Sequence, residues 1–533
     1  MASRKVYAID SETDPFKYGR IPKPFIWGAY DGTTFEYFRT TAEFIARFKD
    51  EYCYLYAHNG GKFDFMFLLD HMQEGELKII NGRIAQMRIG DAVLRDSFSI
   101  IPTSLASYQK TQIDYWKMEE EYRDDNMSEI ISYLRDDCIN LYDLVSAFRD
   151  HAGKGLTIAG NALTFAKKQG AAIHRTTKYF DSIFRQYYFG GRCQALQSGV
   201  FRDVEILDIK SAYPYAMIHD HPSGDTCIAV DGLEGLDNAT VQQSFIAINC
   251  ISHGAFPKRT KFSLEFPHAR DTYYVTGWEY QVAKKHGFIE DETIESVYIL
   301  SDTINFREYV HHWFAFKDDA DKRGDKVNRH IGKVMLTSLY GKLCQNPEKY
   351  KDFKVVPKET EPIDGWELGY EYETKEIHWR PSLYTFINKH GEEWKNKPKF
   401  YNVATGASIT GFCRAMLLDA IATVGFENAL YCDTDSIMVR RPAHAKLPLG
   451  SDLGKWGSEG HAEVSYIGGK KLYAARLHGG TTKTASKGAR LSFDEIVRVV
   501  NGEVVHWYND APTFKIDGGA DFVHRRIVAT TSH

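Results

Sequence analysis

Apolar and polar residues alternate with a period of two along residues 5–12 (KVYAIDSE), which predicts a β-strand with alternate side chains on opposite faces. Residues 53–57 (CYLYA) are mostly apolar and predict a second, more fully covered strand. After HNGGK, residues 63–72 (FDFMFLLDHM) predict a buried helix. From 127 to 149 the residues Ile130, Ile131, Leu134, Cys138, Leu141, Leu144 and Val145 recur at helical spacing, predicting a long amphipathic helix. Strands alternating with helices make the first 150 residues a self-contained α/β unit.

The pattern changes near residue 188. Residues 204–209 (VEILDI) predict a strand that ends in Lys-Ser-Ala-Tyr-Pro, where Pro214 stops the ladder. Segments 305–323 and 325–343 predict two helices meeting at Gly324, 407–422 another helix, and 429–439 (ALYCDTDSIMV) a strand-turn-strand. Residues 347–400 show no period, and the chain has no internal repeat. No run of about 18 apolar residues occurs, and MASRKVYAID leads into a strand rather than a signal peptide. The expectation is a cytoplasmic protein without a membrane partner. Eight scattered cysteines with no Cys-x-x-Cys pair argue against a disulfide framework or a zinc module.

The net charge of −5 at first argues against a nucleic-acid partner, but it is unevenly spread. Residues 1–150 carry 18 basic and 25 acidic side chains, a balance of −7; residues 470–533 carry 10 and 6, a balance of +4. An acidic front and a basic tail predict two tasks in one chain.

Carboxylates stand out in both parts. Asp10 and Glu12 lie two apart on a strand and so face the same side; Asp64 follows a glycine-containing loop; Asp137 lies on the long helix with Tyr133 one turn before it. Taken alone, Asp10 and Glu12 read more readily as solvated strand-edge residues than as metal ligands. Four carboxylates brought together need divalent cations, and two Mg²⁺ ions ~4 Å apart serve in-line attack of water on a phosphodiester. Tyr133 is suited to orient that water. In the second part, Asp208 ends a strand, while Asp433 and Asp435 flank Thr434 at a hairpin tip. Lys333, Thr337, Tyr340 and Gly341 share one helix face, which suits a triphosphate and a nascent base pair. Lys322 precedes the Gly324 turn on the facing helix. Tyr213, beside Pro214, is placed to lie under a sugar, where its ring would clash with a 2′-hydroxyl.

The ordered trio D-x-E (Asp10, Glu12), N-x-x-x-F-D (Asn59, Phe63, Asp64) and Y-x-x-x-D (Tyr133, Asp137) resembles the three motifs of the 3′–5′ proofreading exonucleases attached to family B DNA polymerases. The resemblance implies that Asp10, Glu12, Asp64 and Asp137 hold metals and that Thr13, Asn59 and Phe63 grip a frayed 3′ end. DSF (96–98) and KTQIDY (110–115) resemble the protein-primed branch, implying an assisting Lys110 and single-stranded DNA contacts from Ser97, Phe98 and Tyr115. DIKSAYP (208–214) resembles motif A, KVMLTSLYG (333–341) motif B and YCDTDS (431–436) motif C. By that likeness Asp208, Asp433 and Asp435 are catalytic, with Asp208 and Asp435 holding metal. Ser211, Ala212, Tyr213, Lys322, Lys333, Thr337 and Tyr340 take the nucleotide. KKLY (470–473) resembles the Lys-x-Tyr motif, so Lys471 and Tyr473, with Tyr431, are expected at the DNA. YFGGR (188–192) resembles the Tyr-x-Gly-Gly linking element (Tyr188, Gly190, Gly191), and TGFCR (410–414) the template-contacting Thr…Arg element (Thr410, Arg414). Two positions depart from the pattern: Thr337 stands where motif B usually has Asn, and Ala212 where motif A usually has a larger apolar residue.

The likeness is denser still to the tectivirus-type protein-primed polymerases, through collinear stretches such as HNGGKFDFMFLL (58–69), LKIINGRI (77–84), ASITGFCRA (407–415) and NDAPTF (509–514). It implies an α/β and α+β multidomain chain: an RNase H-like 3′–5′ exonuclease domain followed by a right-hand polymerase with two insertions. The expected layout is exonuclease 1–150, connecting helical segment 151–187, palm 188–218, first insertion (terminal-protein contact) 219–300, and fingers 301–344. The second insertion (strand displacement) follows at 345–400, then palm 401–475 and thumb 476–533. Mg²⁺ at each active site, which Mn²⁺ can replace, is the implied cofactor. Double- and single-stranded DNA, dNTPs and a terminal protein used as primer are the implied partners, the chain being a monomer or a heterodimer with that protein. A stand-alone DEDD-type nuclease with a DNA-binding C-terminal region is the alternative, disfavoured by the intact second carboxylate set.

Overall fold

The computed structural model describes residues 3–72, 74–103, 112–369, 377–378, 384–390 and 402–530. Two large sheets organise the chain. In the first, the strand Lys5–Thr13 runs parallel to Cys53–Ala57, which runs parallel to Ala92–Asp96; Pro24–Tyr30 and Phe35–Phe38 extend it antiparallel. The helix Met127–His151 lies across this sheet, burying Ile130, Leu134, Cys138, Leu141, Leu144 and Val145 as their spacing predicts, while Ile131 of the same predicted face is only half-buried. It comes so close that a Cβ on Gly28 would stand 2.8 Å from Leu134 Cγ. Residues 63–72 depart from the predicted α-helix: Asp64–His71 forms tight 3₁₀ turns, entered through Phe63 at φ −139° and ψ −86°. The backbone there is pinned by Gly61, whose Cβ would meet the Ile84 carbonyl oxygen at 2.1 Å.

On its other edge this sheet continues through Arg83–Ile89 and Gly75–Ile80 into strands from far along the chain. Lys351–Pro357 pairs with Gly75–Ile80 (Phe353 opposite Leu77), followed by Tyr384–His390 and Glu367–Leu368, giving ten strands. Val355 and Phe386 share a core with Leu77, Ile84 and Phe65. Part of the aperiodic 347–400 stretch thus completes the N-terminal sheet.

The second large sheet is antiparallel, in the order Thr482–Ser486, Leu472–Leu477, Trp456–Gly469, Gly199–Ile209, Ser436–Arg440, Ala429–Asp433, Cys193–Ala195. The expected boundary at 475/476 falls within one of its strands. The helices Arg307–Lys322 and Lys326–Leu343 form the predicted hairpin, with Gly324 at φ +69° supplying the left-handed turn. Val403–Val424 is the one described helix long and apolar enough to cross a membrane. It is buried nearly all round, as a helix through a large core should be.

Between the motif-A strand and the helical hairpin, His221–Val230, Ile289–Ile304, Ser244–His253 and His268–Thr276 form a four-stranded antiparallel sheet, followed between its strands by the helix Gly277–Lys285. That helix meets Val403–Val424 where Gly411 faces Thr276: a Cβ on Gly411 would lie 2.3 Å from Thr276 Oγ1. Gly411→Ala is therefore expected to destabilise the protein by about 1–3 kcal/mol in urea unfolding, despite the higher helix propensity of alanine.

Candidate active sites

In the N-terminal sheet, Asp10, Glu12 and Asp137 can each offer an oxygen within 4.8 Å of the others. Asp64, almost fully buried, accepts a 2.5 Å hydrogen bond from Ser11 Oγ. Burial, reinforced by the charges of Asp64, Glu12 and Asp137, holds the Asp10 carboxyl well above the usual carboxylate range. Burial pushes Asp64 up to about 7. Tyr133 is buried beside Asp137, and its hydroxyl is hydrogen-bonded to that of Tyr115. Burial, then the Asp137 charge, raises its pKa.

Around this cluster, Asn59 sits in the left-handed region (φ 63°) and accepts from Arg83 Nη1 at 2.9 Å. The same nitrogen donates to Asp96 at 2.6 Å, and the Arg83 guanidinium lies 4.2 Å from the Phe98 ring centre. Phe63 contacts Phe16 and Phe67 edge-on, and Phe514 from the C-terminal segment. Thr13 is buried with its hydroxyl donating to the Asp14 carbonyl. Ser97, expected at single-stranded DNA, is instead wholly buried: it donates to the Ala57 carbonyl and touches His58 Nδ1 at 2.9 Å. Tyr115 is exposed. Lys110 lies outside the described residues.

In the second sheet, antiparallel register places Asp208 opposite Ser436, next to the turn. Thr434 holds that turn in the left-handed region at φ 62°. Burial, then the neighbouring charge of Asp435, raises Asp208 to about 7. Asp435 is raised by burial and by Asp433. Asp433 is treated differently, forming a 2.6 Å ion pair with Lys471 Nζ. Tyr431 OH ties the two elements, accepting from the Lys471 N–H at 3.2 Å and reaching Asp433 Oδ2 at 3.4 Å. Tyr473 packs at 5.1 Å against the Tyr431 ring. Among the described residues no basic side chain is ion-paired to Asp10, Asp208 or Asp435. Acidic groups raised by burial and by one another's charge, with no basic side chain in direct contact, are a donor set that suits divalent metal ions.

Lys333 and Thr337 are exposed on the predicted face of their helix, Tyr340 half-exposed beside them, with Val334, Met335, Leu336 and Leu339 buried behind. Tyr340 stacks on Tyr213 at 4.2 Å and 10°, bringing motifs A and B together. Lys333 is near enough to Asp435 for its charge to act on that carboxyl. Thr337 turns its hydroxyl back onto the Lys333 and Val334 carbonyls, so its methyl group is what this face presents. Ser211 adopts φ 54° where the short helix Ala212–Met217 begins, and Ala212 is buried. Lys322 is ion-paired to Asp318 on its own helix at 2.6 Å, with no contact to the carboxylates. Sequence reasoning missed Glu459: its charge acts on Asp208, and it is paired to Lys483 at 2.9 Å.

The YFGGR segment touches the Asp433–Asp435 turn directly. The Thr434 N–H donates to the Arg192 carbonyl at 2.6 Å, and a Cβ on Gly191 would lie 2.7 Å from Thr434 Oγ1. Gly190 is exposed, and Tyr188 is half-buried with its hydroxyl against Cys344. Arg414 and Thr410 differ from the expected template contact. Arg414 is 2% exposed, with Nε and Nη2 donating to Glu279 (2.7 and 2.9 Å) and Nη1 to the Phe189 and Gly190 carbonyls (2.6 and 2.9 Å). Thr410 is 1% exposed and donates to the Ala407 carbonyl. Their helix is surrounded by protein, so neither side chain reaches the surface.

The family described as "DNA polymerase type B, organellar and viral" matches residues 106–423, and the chain belongs to it. It is 36% identical over 564 aligned positions to the DNA-directed DNA polymerase of Enterobacteria phage PRD1, covering 99% of this chain and 98% of that protein. A DNA polymerase of Kluyveromyces lactis is 26% identical over 55% of this chain and 30% of its own length. Among solved structures, Phi29 DNA polymerase complexed with primer-template DNA and incoming nucleotide superposes with a TM-score of 0.76 at 17% identity, covering 99% of this chain and all of that one. The chain is a DNA-directed DNA polymerase.

The raised carboxyl groups make a signed prediction. Asp64 and Asp208 hold protons in the folded state up to about 7 that the unfolded chain releases near its ordinary carboxylate pKa. The metal-free protein therefore binds more protons folded than unfolded, and its stability must fall as pH rises through that window. A loss of about 2 kcal/mol or more between pH 5 and 8 in chelator, largely reversed by Mg²⁺, is expected from urea unfolding.

Proposed function

We propose that this polymerase is replicative, starts synthesis on a hydroxyl of a terminal protein, and proofreads with a 3′–5′ exonuclease. For synthesis, the observation that carries the reading is the Asp208–Asp435 pair, set by strand register beside a third aspartate ion-paired to Lys471, with Asp435 close enough for its charge to act on Tyr340 of the Tyr213–Tyr340 stack. Asp208 and Asp435 would hold Mg²⁺ in the synthesis site, and Asp10, Glu12, Asp64 and Asp137 in the exonuclease site. When bound, the ions lower the pKa of the attacking hydroxyl or water and offset charge on the phosphates. Lys333 binds the triphosphate of the incoming dNTP. Tyr213 lies under the sugar and excludes a 2′-hydroxyl. Lys471 keeps Asp433 from adding a third uncompensated charge to the turn and, with Tyr473, faces the primer. In the exonuclease, Tyr133 orients the water, while Asn59, Phe63 and Phe98 hold the unpaired 3′ end, the two rings stacking on bases.

The domain layout expected from the sequence is part of this proposal. Residues 219–300 contact the terminal protein, and 345–400 hold apart the strands ahead of the primer. The enzyme works in the host cytoplasm, alone or with the terminal protein, and displaces strands as it copies.

Primer extension with Mg²⁺ and dNTPs tests the two sites. Asp435→Ala should reduce synthesis at least 1,000-fold and leave 3′ degradation intact, and Asp64→Ala should do the reverse, on the order of magnitude usual for loss of a metal-binding carboxylate. An Asp435→Ala enzyme that still extends a primer sinks the assignment. Incubation of labelled dNTP with the candidate terminal protein should label that protein covalently; no transfer would remove the protein-priming step. Deleting 345–400 should abolish displacement of a downstream strand while sparing short gap filling, and unchanged long products would refute that role.

A further inference from the structure

Two buried ionic side chains lie behind the synthesis site, outside the machinery just described. We propose that the Arg414–Glu279 pair is a positioning device for the Asp433–Asp435 turn, and that Arg414 acts through the backbone rather than on DNA. The proposal rests on the reading of that turn as the synthesis site.

A guanidinium has five N–H donors. In Arg414, Nε and one Nη2 donor go to the two oxygens of Glu279, and Nη1 reaches the Phe189 and Gly190 carbonyls and, at 3.4 Å, Thr410 Oγ1. Its side chain is 1% exposed and that of Glu279 is 2% exposed. Moving Arg414 out to meet a phosphate would leave Glu279 charged and alone in the interior, which is strongly unfavourable. Glu279 is itself fixed: it closes a capping box at the start of its helix, where its Oε2 accepts from Thr276 Oγ1 at 2.9 Å. The absence of a side chain at Gly411 lets the Arg414 helix approach this cap.

The two carbonyls that Arg414 holds belong to the residues immediately before Gly191 and Arg192. Those two residues support Thr434, one through close packing and the other through its carbonyl. Thr434 sits in a left-handed conformation that a threonine keeps only when its surroundings impose it. The contacts therefore form one path: Glu279, Arg414, the 189–190 carbonyls, Gly191 and Arg192, Thr434, and the aspartates on either side. Arg192 is anchored in parallel, donating to the Gly254 carbonyl at 2.8 Å and lying 4.3 Å from the Phe266 ring centre.

Glu279→Gln keeps the side-chain shape and removes the charge, and Gly191→Ala disturbs the turn without touching the pair. For each, the rate of single-nucleotide insertion, the affinity for primer–template DNA without dNTP, and Mg²⁺ binding by calorimetry should be measured. A positioning role predicts an insertion rate at saturating substrates lowered about 10-fold or more, Mg²⁺ binding weakened several-fold, and primer–template Kd changed less than about twofold. A Kd raised about 10-fold with the rate intact at saturating DNA would make Arg414 a DNA-binding element and overturn the proposal. Wild-type behaviour of Gly191→Ala would also overturn it, and that variant decides the matter if Glu279→Gln fails to give a cooperative melt. Asp435→Ala serves as the reference: if it retains synthesis the site reading fails, whereas an inactive Asp435→Ala beside two wild-type-like variants removes only the positioning role.

Discussion

Like charges held close together where water is scarce set the terms for this molecule. Two carboxylates about 4 Å apart repel by about 4 kcal/mol at an effective dielectric of 20, and the first cluster brings oxygens of three within 4.8 Å of one another. No arrangement of flexible loops would hold them there. In the first cluster the pair on one strand is fixed by pleat, Asp137 by a helix lying close across Gly28, and Asp64 by tight turns and the Ser11 hydrogen bond. In the second, register fixes Asp208 against the hairpin, and Lys471 removes one of the three charges from the contest. The scaffold absorbs a local instability that divalent ions, bound there, would relieve.

Rigid placement in turn depends on contacts between segments distant in the chain. The ten-stranded sheet joins residues 5–96 to strands between 351 and 390, so the expected second insertion and exonuclease are hydrogen-bonded through one sheet edge. Phe514 from the tail contacts Phe63 and Phe67 beside the first cluster. The four-stranded sheet of 221–304 reaches the second cluster through Glu279 and Gly254. Each acidic cluster is thus bordered by pieces of chain that do not carry its carboxylates.

What could be read in the sequence followed from periodicity and short motifs. The strand at Lys5–Thr13, the long helix and its buried face, the helical hairpin at Gly324 and the aspartate turn all lie where local pattern places them, because each is specified within a few residues. The strands of 351–390 were not legible: their partners are one another and Gly75–Ile80, nearly 300 positions earlier. The 3₁₀ turns of Asp64–His71 escaped because composition does not distinguish them from an α-helix. Arg414 was expected at the template because a sequence shows an arginine but not the glutamate 135 residues away that buries it. Glu459 lies in a strand whose register shifts between Ser458 and Gly460, and no motif marks it.

The same distinction between local and distant information resolves the charge of the chain. A total of −5 describes no particular surface. Four acidic residues of the first 150, Asp10, Glu12, Asp64 and Asp137, are drawn into the first cluster, and several cations of the tail are committed to the protein: Lys483 to Glu459, Arg498 to Glu503, Lys515 to Asp521. Lys487, Arg490, Arg525 and Arg526 remain exposed, and Arg525 reaches within 3.6 Å of where a Cβ on Gly488 would stand. These cations gather around one loop and one strand edge. Binding to a phosphate backbone depends on how many cations meet it and how many counterions they release, not on the sum over the chain. A small basic surface of this kind is compatible with an acidic protein.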